Sequence, residues 1–255
     1  MMPAVRMVQR NALVYRRVWR GSVFSSFLQP TLFLAAMGLG VGAMVDAGRA
    51  VLPDNASYAE FLAPGLLAAA AMQVSGFEST YPVLGKMMWF RNYEAIAATP
   101  MRASDLVLGE LAWMALRLTT IATAFVLVMT AFGIPRSPLV ILAIPAAVLT
   151  GLAFAAPIMA YAATLKHAKT FNVLFRFVIT PLFLFSGVFF PVGRLPDPFE
   201  RGAWFTPLFH GVQLVRGLTL DSVPTAWPIH VAYLTMLVAA GAAMAQRTFR
   251  RRLYS

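Results

Sequence analysis

The chain has 255 residues, 59% of them apolar and only 12% charged, with a net charge of +11 and no cysteine. A soluble domain carries roughly 25% charged residues, so this sequence lacks the polar surface to face water, and its hydrophobic stretches must be measured against a bilayer. The missing cysteines exclude disulfide frameworks, thiolate zinc sites and thiol nucleophiles. The basic residues sit at the ends of apolar segments, which marks membrane orientation rather than a nucleic-acid-binding face.

Residues 4–20 open the chain with a helical period. Val5, Val8, Ala12, Tyr15 and Trp19 share one face at 3-4-3-4 spacing, while Arg6, Arg10, Arg17 and Arg20 gather opposite and Arg16 sits at the edge. This predicts an amphipathic helix on the membrane surface, with Trp19 at headgroup level. Six charge-free runs follow: 21–45, 61–77, 118–135, 137–165, 177–193 and 222–246. Each approaches or exceeds the ~20 residues needed to cross ~30 Å of hydrocarbon. The predicted spans are 22–46, 58–82, 108–132, 139–165, 171–192 and 226–246. Pro30, Pro64, Pro157 and Pro181 fall inside them, as transmembrane helices tolerate when neighbours re-satisfy the freed carbonyls.

Six spans leave both termini on one side. That side collects fourteen Lys and Arg from residues 1–20, 86–104, 166–170 and 247–255; the other collects five, Arg49, Arg136, Arg194, Arg201 and Arg216. The bias predicts cytoplasmic termini. Arg117 and Arg176 lie inside spans, about six residues or 9 Å from the cytoplasmic ends, where they can snorkel, pair, or meet an anionic substrate headgroup.

Two loops carry more than connection. In the cytoplasmic loop 85–100, Asn92 can cap a short helix over 93–99, with Glu94 near its positive end and Pro100 as its stop. Its mixed face of Tyr93, Glu94 and Ile96 suits either docking of a soluble partner or an inert connector. On the outer side, Phe189-Phe190-Pro191 and Trp204-Phe205 are aromatic, yet charges at Arg194, Asp197, Glu200, Arg201, Arg216 and Asp221 keep any run too short to span. Two short re-entrant or interfacial helices over 198–205 and 207–219 are expected to cap the outer mouth.

Catalytic motifs are absent. Gly38-Leu-Gly-Val-Gly42 lacks the Lys and Ser/Thr of a phosphate loop and reads as a small-residue helix contact. His167, His210 and His230 are scattered over both sides of the predicted spans, so no metal site is expected. Asp46, Glu60, Glu78, Asp105 and Glu110 fall near predicted span ends, so no midspan acid offers ion coupling.

Further motifs narrow the class. Span two is entered through Tyr58, Phe61, Leu62, Pro64, Gly65, Leu66 and Leu67, and followed by Phe77-Glu-Ser-Thr-Tyr-Pro; then come Tyr93-Glu-Ala-Ile-x-Ala-Thr-Pro100, Phe185-Ser-Gly-Val-Phe-Phe-Pro191 and Trp204-x-x-Pro207-Leu-x-His210. Across essentially the whole chain this resembles the membrane subunit of a type-2 ATP-binding-cassette export transporter, in the nodulation-factor exporter and daunorubicin-resistance permease branch. The resemblance implies an all-α membrane fold of six spans, with 4–20 as interface helix, 93–99 as coupling helix with Glu94 in the acidic coupling position, and 194–220 as outer gate. It also implies two cytosolic ATPase subunits, which would hold ATP and Mg with no cofactor on this chain, and a second permease subunit, identical or paralogous. Membrane lipid is expected as a further partner, and the bacterial inner membrane as the location.

The expected function is therefore an export permease, not an enzyme, for an amphipathic drug, lipid or lipid-linked glycan. An ATP-independent transporter or channel and an integral-membrane transferase are the alternatives. Spans one, two and five are the expected pathway walls. Candidate lining residues are Phe24, Gln29, Met72, Gln73 and Phe183, with Arg117 and Arg176; Tyr93, Glu94, Ile96 and Pro100 are the candidate coupling residues; Phe189, Phe190, Pro191, Trp204 and Phe205 are the candidate outer gate.

Overall fold

The computed structural model describes residues 3–17, 19–42, 44, 52 and 56–253. Among them every regular element is helical. Helix α1 (Pro3–Tyr15) precedes α2 (Trp19–Leu34), which runs on as a π-helix over Ala35–Val41. Next come α3 (Tyr58–Glu78), α4 (Tyr81–Met88), α5 (Asn92–Ala97), α6 (Ala103–Ala131) and α7 (Val140–Ala162). A broken segment follows: α8 (Phe171–Leu174), a π turn over Phe175–Ile179, and α9 (Thr180–Phe185). The chain closes with α10 (Asp197–Ala203), α11 (Pro207–Leu220) and α12 (Trp227–Leu253).

Among the described residues, five segments are long and apolar enough to cross a bilayer: Tyr58–Met88, Ala103–Ala131, Val140–Ala162, Ala168–Phe185 and Trp227–Leu253. The span expected over 22–46 corresponds to α2 and its π continuation, and part of its far end lies outside the described residues.

Several boundaries differ from the sequence expectation, each for a local reason. The surface helix expected over 4–20 stops at Tyr15, and Trp19 begins the next helix. The second span runs past 82 to Met88; it bends at Ser79–Thr80, where the Thr80 hydroxyl donates to the carbonyls of Gly76 and Phe77. The fifth ends at Phe185 rather than 192, because Gly187 takes a left-handed φ of 82°. The last continues to Leu253, two turns beyond the expected 246, and carries Arg250, Arg251 and Arg252 in its final turn.

Helix α7 is the hub, packing against α3, α6, α11 and α12. Its Ala143, Ala147, Ala153, Ala155, Ala156 and Ala160 are buried. Small residues let backbones approach where no solvent drives association. A Cβ at Gly241 of α12 would sit 2.6 Å from Pro157, and one at Gly211 of α11 would sit 2.3 Å from the Thr150 hydroxyl. Both glycines are therefore contact surfaces.

The packing gives the bundle two polar ends. At the end bearing Pro3 and Leu253, Arg252 donates to the carbonyls of Ala163 (2.6 Å) and Leu165 (2.7 Å), satisfying the end of α7. At the opposite end, Ser57 caps α3: its backbone N–H donates to Glu60 (2.7 Å) while its hydroxyl accepts from the Glu60 N–H. Glu60 also receives a bidentate pair from Arg136, at 2.8 and 2.7 Å.

Candidate transport cavity, coupling end and outer cap

A cavity of about 490 Å³ opens between α2, α3, α6 and α9, with Gln73, Glu78, Arg117, Phe125 and Phe183 among its walls. Its size falls within the range of ligand sites, and its walls mix a long apolar flank with a few polar groups. Of the candidate lining residues, the fold brings together Gln73, Arg117 and Phe183. Met72 is instead fully buried in the core, and Phe24 and Arg176 are exposed and line no part of this cavity. The Gln29 side chain lies outside the described residues. Span three, not expected as a wall, contributes Arg117, Ile121 and Phe125.

Glu78, expected near the end of span two, is the last residue of α3. The helical segment runs ten residues past it to Met88, about 15 Å at the helical rise. It pairs with Arg117 at 3.4 Å, and Arg117 lies 4.9 Å over the Tyr15 ring. Arg117 stands fourteen residues into α6, about 21 Å from its start. Pairing answers its charge. Sequence reasoning named both charges but not their pairing, which joins two separate helices.

At the terminal end one carboxylate joins four elements. Glu110 of α6 accepts from Lys86 of α4 (2.7 and 2.8 Å), from the Tyr93 hydroxyl of α5 (2.9 Å) and from Asn11 of α1 (3.4 Å). The Tyr93 ring also packs on Phe249 of α12, with centroids 5.5 Å apart. Burial, with the neighbouring Glu110 charge and hydrogen bond, pushes the Tyr93 phenol well above its ordinary range. It stays protonated and donates.

This geometry splits the expected coupling face. Tyr93 is fully buried and turned inward, whereas Glu94 and Pro100 are exposed and Ile96 is half-buried. The helix is Asn92–Ala97, not 93–99. Its cap is Arg91, held at a left-handed φ of 49° and 3.6 Å from Glu94, and Asn92 is already helical. Sequence reasoning passed over Lys86 and Glu110. Both are single charges in apolar stretches, the pattern that marks a buried pair.

The end away from the termini is built around Ser186–Val188. The Ser186 and Thr206 hydroxyls lie 3.1 Å apart, and Phe189 meets Phe183 edge-on at 4.9 Å. Arg216 donates to the carbonyls of Phe61 (3.1 Å) and Gly187 (2.9 Å) and stacks 3.8 Å over the Phe61 ring. Counted from sequence as a loop charge, it is 8% exposed and ties α11 to α3. Of the candidate gate residues, Phe189, Phe190 and Pro191 are half-buried. Trp204 is partly open but packs on Phe209 at 4.9 Å, and Phe205 is exposed. The scattered histidines also meet in part: His210 and His230 are 2.7 Å apart through Nδ1.

A bundle of helices long and apolar enough to cross a membrane, with a cavity between four of them, defines an integral membrane protein. Residues 4–220 match the family described as ABC-2 type transporter, and the chain belongs to that family. It is similar to "Nodulation protein J" of Rhizobium leguminosarum bv. viciae, at 32% identity over 245 residues covering 96% of this chain and 93% of that protein. It is also similar to "Nodulation protein J" of Rhizobium meliloti (strain 1021), at 33% over 96% of this chain and 92% of that protein. The namesake in Bradyrhizobium diazoefficiens matches at 33% with the same coverage. The resemblance read from the motifs thus holds.

Proposed function

We propose that this chain is the permease subunit of an ATP-driven exporter that moves an amphipathic substrate, a drug, lipid or lipid-linked glycan, out of the cytoplasm or inner leaflet. The observation that carries the reading is the cavity between α2, α3, α6 and α9, apolar along its length and polar at Gln73, Glu78 and Arg117. An amphiphile needs both surfaces. Two cytosolic ATPase subunits supply the energy and hold ATP and Mg. A second permease subunit, identical or paralogous, completes the pathway in the bacterial inner membrane, with both termini in the cytoplasm and lipid around the bundle. Phe189, Phe190, Pro191, Trp204 and Phe205 form the outer gate. Glu78 lies within a span but is already paired with Arg117, which favours the ATP-driven reading over an ion-coupled transporter.

In this reading α5 docks on the ATPase through Glu94, while Tyr93 and Glu110 brace it from behind. The test is reconstitution with the ATPase subunit and measurement of substrate-stimulated hydrolysis. Glu94→Arg reverses an exposed charge, so folding changes by no more than about 0.5 kcal/mol. The expected result is normal membrane abundance with loss of most stimulated ATPase activity. Wild-type stimulation in that variant would remove α5 from the docking surface.

A further inference from the structure

His210 of α11 and His230 of α12 meet through their Nδ1 atoms at 2.7 Å, and each is 2% exposed. The His210 Nε2 lies 2.9 Å from the Trp204 carbonyl. A carbonyl only accepts, so Nε2 of His210 carries the hydrogen. A neutral His210 then has a bare Nδ1, and the His230 Nδ1 must donate to it. One tautomer of each ring satisfies both bonds.

The rings are enclosed on every side. Tyr233 stacks on His210 at 4.1 Å and donates its hydroxyl to the Phe205 carbonyl at 2.6 Å. Phe209 meets both rings edge-on, and Trp204 stacks on His230 at 6.0 Å. No charged side chain among the described residues hydrogen-bonds to the pair. On α11 itself, Arg216 is turned to Phe61 and Gly187. Of the elements packed against α11 and α12, α7 carries only Tyr161 as a titratable group. On α3, Glu60 is held by Arg136 and Glu78 by Arg117, and Tyr58 stands beside Glu60. Helix α6 bears Asp105, Glu110 and Arg117 in its first half, towards the terminal end. Helix α5, which touches α12 there, bears Glu94. The nearby α10 bears Asp197, Glu200 and Arg201.

One added proton can enter at the His230 Nε2 and leave the shared bond intact, at the cost of a buried charge. A second cannot. With both rings charged, each Nδ1 carries a hydrogen and the two donors face each other. We propose that the His210–His230 pair is a proton-operated latch, fastening α11 and the outer cap to the last span when neutral and releasing it when both rings are charged. Burial pushes the His210 imidazole down, so charging is resisted while the latch is closed. A base whose closed-state affinity is depressed stabilises that state above its ordinary value of about 6.5, and loses the stabilisation as pH falls through it. Acidity on the outer face would thus loosen the cap. The latch needs only the contact of α11 with α12 and does not depend on how the transporter is powered.

The cysteine-free chain permits a direct test. Cysteines replacing Phe205 and Ile229, both exposed, carry spin labels in the full-length protein in lipid nanodiscs. Double electron–electron resonance should show one short distance near pH 7.5 and a second, longer population near pH 5, either side of the ordinary histidine value. Adding His230→Asn, whose amide can donate to His210 but cannot be charged, should abolish the shift. Nitrogen-15 histidine spectra of the unsubstituted chain near pH 7.5 should show hydrogen on the His210 Nε2 and the His230 Nδ1, a readout needing no variant. An unchanged distance distribution at the two pH values, a shift that survives His230→Asn, or hydrogen on the His210 Nδ1 near pH 7.5 would each overturn the latch.

Discussion

Glu110 shows how a single side chain can organise one end of a membrane protein. Its carboxylate is about 5% exposed and receives four hydrogen bonds from three other elements. Leaving a charge buried without its partner is costly, so the two ends of this network should differ in a measurable order. Glu110→Gln strands Lys86, whose side chain is only 20% exposed, and is expected to destabilise by about 3 kcal/mol. Tyr93→Phe removes one hydroxyl donor and keeps the ring on Phe249, an expected loss of about 1–2 kcal/mol. Thermal unfolding in detergent should place Glu110→Gln well below Tyr93→Phe. Equal midpoints would mean the carboxylate is not the node. Glu110 was legible in sequence only as an acid near a span end. Its partners come from residues 24 and 99 positions away, and no local pattern reports such separations.

At the scale of the element, helical periodicity and charge-free length located five of the six expected spans to within about two turns. The errors cluster where chemistry interrupts the helix without a charge to mark it. Thr80 bends the second span yet lets it continue, and Gly187 ends the fifth early. The tight seams are likewise invisible in hydropathy, which does not report how closely a small side chain lets two backbones approach. They are testable in the structure. Gly241→Ala drives a Cβ to 2.6 Å from the ring and backbone of Pro157, neither of which can yield. The expected cost is about 1–3 kcal/mol of overpacking. Gly202→Ala in α10 meets nothing within 4 Å and serves as the control, with a midpoint close to wild type. If both variants melt alike, the α7–α12 seam is looser than the geometry indicates.

For the whole molecule, the two polar ends lead to an experiment on orientation. Ala95 sits in α5 and Ala168 beside the end of α7 that Arg252 caps, both at the terminal end, whereas Pro198 opens α10 at the other. Single cysteines at 95 and 168 should be shielded in intact cells from an impermeant thiol reagent, and one at 198 should react. Labelling at 95 from outside would invert the orientation drawn from the basic residues.

By itself, the sequence determined the membrane class, the order and approximate extent of the spans, and the family. Those properties depend on local composition, on a helical period and on motifs a few residues long. Tertiary structure alone decided that Glu78 answers Arg117 inside the bundle, that Tyr93 faces inward while Glu94 faces out, that Arg216 is a buried tie, and that His210 meets His230. Each joins residues on different helices. The rotation and depth of a helix are set by which faces pack against its neighbours, and in an apolar span almost every face is hydrophobic, so the pattern along the chain leaves that choice open.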